Sequence, residues 1–150
     1  MTHKIHEVNF FSLKSKENDL SRAELLFQNQ ETGIVIDGVA LEKQFSFEEK
    51  FLLFLTEDCP YEEGLHIYLL DQELQILDGI ELAGAYASAI LDDVQVENDG
   101  IVTFAFFGSD TWRLHVASNA FRRLNIPMLS SIKYKRGLYS RCWLKLERIR

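Results

Sequence analysis

The sequence predicts a mainly β protein, a single-domain antiparallel meander that forms a β sandwich or a curled barrel with one or two short helices. It has 150 residues of which 47% are hydrophobic, enough to bury one core. Only two prolines occur, and eleven phenylalanines lie in short β-branched and aromatic segments. We therefore expect one domain over residues 1–150, with residues 1–20 as an irregular N-terminal arm.

Eight segments between turn-forming residues have the composition of strands. Capping-box patterns that begin at Ser21 and Ser46 also predict short helices over 22–29 and 47–55, the second in competition with a buried strand. The alanine-rich stretch 83–91 allows one or two helical turns, and 118–132 is predicted to be irregular. The predicted strands are 34–41, 51–57, 65–70, 74–82, 93–97, 101–106, 112–116 and 138–148.

The strictest alternation of apolar and polar residues lies between Asp93 and Val116. A three-residue loop over 98–100 pairs Val96 with Val102 and places Gly100 in the left-handed conformation of a bulge. All apolar side chains of this meander then face one way and must cover other apolar strands. The remaining predicted pairs, with a five-residue connection over 107–111, are Val94 with Phe104, Phe106 with Trp112, Phe104 with Leu114 and Val102 with Val116.

Several protein classes are not expected. The longest apolar run, 51–55, is far shorter than the ~20 residues that span a bilayer, and the first residues lack the apolar stretch of a signal peptide. Cys59 and Cys142 fit neither a CxxC motif nor a zinc-ligand spacing, so we expect two reduced thiols. The sequence thus predicts a cytoplasmic protein with no membrane segment, no metal and no cofactor.

The net charge of -7 conceals an uneven distribution along the chain. Residues 117–150 contain nine basic side chains and one acid, whereas residues 42–110 contain sixteen acids and two lysines. Two interpretations stay open. The acidic segment forms a surface that steers a basic partner, or the basic end folds back and neutralises part of the acidic body.

The first functional hypothesis is a non-enzymatic binding protein whose acidic surface docks a basic protein partner. An immunity-like inhibitor of a basic toxin is one concrete form. Tyr61 would act as an aromatic anchor inside a charged rim, and a homodimer through Tyr139 and Trp143 is compatible with this function. The predicted partner-binding residues are Glu57, Asp58, Tyr61, Glu62 and Glu63.

The second hypothesis is a small-ligand site or an enzyme on the outer face of the meander. Arg113 would bind an anion and His115 would serve as a general base, although a solvated face has the same composition. No catalytic residue is assigned, because Ser109 lacks the GxSxG elbow and no glycine-rich phosphate loop is present. This alternative ligand face consists of Asp93, Gln95, Thr103, Arg113 and His115.

The third hypothesis is polyanion or nucleic-acid binding through the basic C-terminal strand. Aromatic and basic side chains alternate there, a pattern that stacks bases and neutralises phosphates. An acidic protein binds nucleic acid poorly, so this use ranks below the others. The alternative polyanion face is Tyr139, Arg141, Trp143 and Lys145.

Overall fold

The structure is a computed structural model, and it describes residues 4–57, 64–83, 90–97, 100–106, 110–122, 132–135 and 141–149. These residues form thirteen antiparallel strands and no helix, so the mainly β prediction is confirmed and its helices are not found there. It follows that the described part of the chain contains no helix able to cross a membrane. The strands are β1 His6–Glu7, β2 Phe11–Lys16, β3 Asp19–Phe27, β4 Gln30–Asp37, β5 Ala40–Phe47, β6 Lys50–Thr56, β7 Gly64–Leu70, β8 Ile76–Ala83, β9 Asp92–Glu97, β10 Ile101–Ala105, β11 Thr111–Arg122, β12 Ile132–Tyr134 and β13 Arg141–Arg148.

Three sheets stack as layers. The central sheet has the order β1-β5-β6-β7-β8-β12, the C-terminal sheet has the order β13-β11-β10-β9, and the N-terminal sheet is β2-β3-β4. One apolar cluster joins the central sheet to the C-terminal sheet, and a second joins it to the N-terminal sheet. The architecture is an antiparallel sandwich with a third layer, and none of the described sheets closes into a barrel.

The middle strands of the central sheet, β6 and β7, are buried on both faces. Leu52 and Phe54 point into the cluster with the C-terminal sheet, whereas Leu53 and Leu55 point into the cluster with the N-terminal sheet. The unbroken apolar run therefore reflects a strand between two layers. Because such a run has no period-two alternation, the sequence also permitted a helix over 47–55, and that prediction is wrong.

The hairpin from β9 to β10 follows the predicted register at its tip. Val96 stands opposite Val102, and Gly100 has a φ of 74°. A Cβ on Gly100 would lie 2.6 Å from the Val116 carbonyl oxygen and 3.2 Å from the Phe47 ring, so glycine is required there for two reasons.

The hairpin from β10 to β11 differs from the prediction by two residues. Phe104 pairs with Trp112 and Val102 pairs with Leu114, and all four are buried. A shift of two residues keeps each side chain on its predicted face, so the apolar face is correct although its pairs are not. The predicted pairs that are wrong are Phe106 with Trp112, Phe104 with Leu114 and Val102 with Val116.

An irregularity in β9 changes the other end of that strand. Asp93 has a φ of 51°, and Asp92 rather than Asp93 stands opposite Ala105. The pairing of Val94 with Phe104 is consequently absent from the ladder. A bulge of this kind bends an edge strand and interrupts further pairing.

The N-terminal third of the chain contains more strand than the sequence indicated. Residues expected to form an irregular arm contain β1 and β2, and the predicted helix over 22–29 is the second half of β3 and its turn. Gln28 and Asn29 have φ values of 50° and 66°, which is the type I′ turn of a tight hairpin. The predicted irregular stretch 118–132 is strand up to Arg122, and 84–89 and 123–131 lie outside the described residues.

The side chains of Asp78 and Tyr134 form hydrogen bonds with the edge of β13 that has no neighbouring strand in the described part of the chain. The buried Asp78 carboxylate accepts hydrogen bonds from the backbone N–H groups of Trp143 and Leu144 at 2.8 and 2.9 Å. The Tyr134 hydroxyl, on β12, accepts from the Leu146 N–H and donates to the Leu146 carbonyl. These bonds stand in for the neighbouring strand that β13 lacks on this side.

Candidate functional site

Two turns at one end of the central sheet carry a group of carboxylates. Glu48 and Glu49 form the turn from β5 to β6, and Asp71 and Glu73 lie in the connection from β7 to β8. All four line one open cleft of about 230 Å³. We call these four residues the acidic turns.

A larger cleft of about 550 Å³ adjoins the acidic turns and shares Glu73 with them. Phe27, Ile34 and Leu74 contribute its apolar lining, and the Glu31 carboxylate in the lining is paired with Lys14. The Phe27 ring packs 6.0 Å from that of Phe10, which is 38% exposed. An apolar floor inside a polar rim is the usual composition of a protein-binding surface.

The backbone of the acidic turns is held in conformations that their residue types disfavour. Glu48 and Glu49 have φ values of 45° and 63°, in a two-residue turn that normally contains asparagine and glycine. Leu74 has a φ of 63°, although a bulky side chain rarely occupies the left-handed region. Asp71 stabilises that bend, since its carbonyl accepts from the Leu74 N–H and its carboxylate from the Gln75 N–H. Backbone strain of this kind concentrates at functional sites.

Little positive charge opposes these carboxylates. Lys50 is the one cation among the described residues of the smaller cleft, and its ammonium lies 4.9 Å from the centre of the Trp143 ring. In the described part of the chain Glu49, Asp71 and Glu73 form no ion pair. Glu49, Asp71 and Glu73 therefore present largely uncompensated charge to solvent.

The partner-binding loop predicted from the sequence lies mostly outside the described residues, which include Glu57 but not Asp58, Tyr61, Glu62 or Glu63. The Glu57 carboxylate lies 3.1 Å from Nε2 of the buried His66. Glu57 follows β6, so it stands at the opposite end of that strand from Glu49. The structure thus separates Glu57 from the acidic turns.

A polar network continues from His66 across the same face of the central sheet. His66 Nδ1 lies 3.7 Å from a Glu81 oxygen, which in turn lies 4.0 Å from the Lys135 ammonium. Lys135 also donates to Asp37 at 2.7 Å and lies 5.1 Å from the centre of the Tyr68 ring. Burial raises the pKa of the Asp37 carboxyl, but the hydrogen bond and charge of Lys135 outweigh it and leave the pKa below its usual value. Part of the basic end thus neutralises the acidic body, as the second interpretation of the charge distribution expected.

The alternative ligand face around Arg113 and His115 is partly assembled. Glu147 lies 3.3 Å from Arg113 and 3.2 Å from His115, and its pKa is lowered chiefly by the hydrogen bond with His115. Arg113 shares a row with Thr103 and Gln95, whereas His115 stands opposite Ile101. The register predicted from the sequence implies one row of Asp93, Ala105 and Arg113 and another of Gln95, Thr103 and His115. Gln95 does stand opposite Thr103, whereas the other pairings in these two rows are wrong.

The C-terminal strand alternates as predicted within β13. Cys142, Leu144 and Leu146 are buried, while Arg141 and Lys145 are exposed. The described part of this strand is Arg141–Arg148, and residues 138–140 of the predicted strand, Tyr139 among them, lie outside the described residues.

The sequence did not predict a site at the acidic turns, because Ser46 and Glu49 match a helix capping box and favoured a helix there. The sequence signal that could have indicated them was the position of two acid-rich segments, 48–49 and 71–73, between runs with the composition of buried strands.

The described residues contain no group of three or more histidine, cysteine, aspartate or glutamate side chains placed to hold a metal ion.

Comparison with known proteins gives no assignment. No protein-family model, curated protein or solved structure matches this chain.

Proposed function

We propose that this chain is a non-enzymatic cytoplasmic binding protein that docks a basic protein partner on its acidic turns. The observation that carries the proposal is the convergence of Glu48, Glu49, Asp71 and Glu73 on one cleft whose described lining contains a single lysine. A partner of opposite charge would be attracted before contact, which raises the association rate.

The neighbouring apolar lining supports a protein partner rather than a simple cation. Phe27 and Leu74 lie beside the acidic turns and offer a pocket for an apolar side chain of the partner. Charged rims and apolar centres are combined in this way at specific protein interfaces. An immunity-like inhibitor that neutralises a basic toxin remains the concrete form of this function.

The described surfaces elsewhere favour the acidic turns over the other candidates. Glu147 already supplies a carboxylate to both Arg113 and His115, so an external anion would have to compete with it. Glu57 is likewise engaged with His66. The contribution of the rest of the loop at 58–63 stays a prediction.

A basic probe peptide tests the proposal directly. The probe is a lysine-rich peptide with one central phenylalanine, and its binding to the full chain is followed by fluorescence anisotropy at low and physiological salt. The variant Glu49→Lys/Glu73→Lys should weaken binding about tenfold, and the loss should shrink as salt screens the charges. Stopped-flow measurement should place most of this loss in the association rate.

The matched control reverses the same number of charges away from the acidic turns. Glu17, in the turn from β2 to β3, and Asp92, on the edge strand β9, are both exposed. The variant Glu17→Lys/Asp92→Lys should change affinity by less than about twofold. Equal losses in the two variants would show that net charge alone attracts the peptide and would contradict a defined docking surface.

A further inference from the structure

Two arginines face one another across the end of the C-terminal sheet. Arg122 of β11 stands directly opposite Arg141 of β13 in the antiparallel ladder. Like charges in this position destabilise a strand pair unless an anion neutralises them. Within the described residues, neither arginine forms an ion pair or a side-chain hydrogen bond.

The same two arginines line an open cleft of about 510 Å³, which we call the arginine cleft. Trp143, on the same face of β13 as Arg141, gives the cleft an aromatic ring, and Asn119 and Phe121 also belong to its lining. Lys50 adds a third cation beside the cleft, with its ammonium 4.9 Å from the centre of the Trp143 ring. Guanidinium groups beside aromatic rings are the combination that recognises a phosphate joined to a planar ring system.

We propose that the arginine cleft binds a small organic phosphate of nucleotide size. Arg122 and Arg141 together hold the phosphate, and Trp143 contacts the planar ring. The volume of the cleft lies within the range of about 300–1,000 Å³ that small-molecule sites occupy. Binding also removes the repulsion between the two guanidinium groups, so the ligand contributes stability that the empty cleft lacks.

The surroundings of the cleft favour a small ligand over a nucleic-acid strand. Ser118, next to Asn119, donates a hydrogen bond to the Glu48 carboxylate at 2.7 Å, so the acidic turns begin beside the cleft. A polyanion long enough to pass beyond the cleft would meet these carboxylates, in a protein whose net charge is -7.

Tryptophan fluorescence of the full chain gives a direct measurement. The two tryptophans are Trp143, in the cleft wall, and Trp112, which is buried in the core and gives a constant background. Titration with adenosine monophosphate should quench the emission saturably. Adenosine without phosphate should bind at least about tenfold more weakly, because it cannot engage the arginines.

Variants at both arginines separate a site from general electrostatic attraction. Arg122→Gln and Arg141→Gln should each weaken binding of adenosine monophosphate at least about tenfold while leaving the melting temperature unchanged or raised. The control Arg148→Gln makes the same charge change seven residues along β13, about 23 Å away, and should bind like the unmodified chain.

Three results would overturn the proposal. The first is the absence of saturable quenching at millimolar adenosine monophosphate. The second is an equal loss of affinity in Arg148→Gln and the two cleft variants. The third is tighter binding of a single-stranded oligonucleotide with a steep salt dependence, which would assign the cleft to nucleic acid instead.

Discussion

The two faces of the central sheet are built differently. The face toward the C-terminal sheet is apolar across β6, β7 and β8, with Asp78 as a buried exception. The opposite face is apolar beneath the N-terminal sheet, but toward β8 it carries His66, Glu81 and Lys135. The difference follows the width of the covering layers, because four strands lie on one face and three on the other.

Lys135 compensates for the narrower layer. Its methylene stem lies over Gly79 so closely that a Cβ there would be 2.8 Å from the Lys135 Cδ. Its ammonium then reaches Asp37 on β4. A long side chain thus covers apolar surface with its stem and joins the network with its charged end.

The largest expected effect comes from the apolar face. Phe104 is 1% exposed and its ring packs 5.5 Å from that of Phe54. Phe104→Ala should lower the free energy of unfolding by about 3–5 kcal/mol in urea denaturation, through lost burial and the cavity left behind. Val96→Ala, on the edge of the same sheet and 42% exposed, should cost less than about 1 kcal/mol. Similar costs for the two variants would mean that this face is not the main core.

Asp78 tests whether a buried carboxylate belongs on that apolar face. Asp78→Ala leaves the backbone N–H groups of Trp143 and Leu144 without their acceptor and should cost about 2–4 kcal/mol. Asp78→Asn keeps one acceptor oxygen but turns an amide toward the Gly79 N–H, so its cost should be intermediate. Chemical denaturation of the three proteins gives the comparison, and an Asp78→Asn variant as unstable as Asp78→Ala would show that the charge itself is required.

The sequence predicts these two faces unequally. Alternation in 101–106 and 112–116 correctly assigned the buried side chains, because the outer face of the C-terminal sheet meets water. The alternation could not fix the pairing, since a shift of two residues preserves it. The network around Lys135 joins residues far apart in the chain, so only the tertiary structure could place it.

The sequence predicted the negative charge of the candidate site but not its position in the fold. The excess of acid over 42–110 was visible, but the turn at Glu48 and Glu49 lacks the Asn-Gly pair that usually marks a tight hairpin. Arg122 was counted among the basic residues, yet its position opposite Arg141 depends on an irregular register after Val116. Short-range patterns contain no information about such a register.

Two glycines with positive φ allow backbone strain to be compared between the C-terminal and N-terminal sheets. Gly100→Ala in the C-terminal sheet combines a positive φ with a Cβ 2.6 Å from the Val116 oxygen, and should cost about 2–3 kcal/mol. Gly33→Ala in the N-terminal sheet has a φ of 78° but nothing within 4 Å of its Cβ, and should cost about 1 kcal/mol. The difference in melting temperature between the two variants measures the contribution of the steric contact at Gly100. Equal decreases would mean that the positive φ alone accounts for the loss of stability.

The smallest expected effect concerns the polar network. Because Lys135 keeps the Asp37 pKa below its unfolded value of about 3.9, the stabilisation is complete above that value and is lost as pH falls through the folded pKa. Lys135→Met should therefore lower stability at neutral pH by about 1 kcal/mol or less, and its difference from the unmodified chain should shrink below about pH 4. Lys133→Met, at an exposed position of β12 two residues before Lys135, is the control and should show no such pH dependence. A loss in Lys135→Met that stays constant from neutral to acidic pH would show that the ion pair with Asp37 does not cause it.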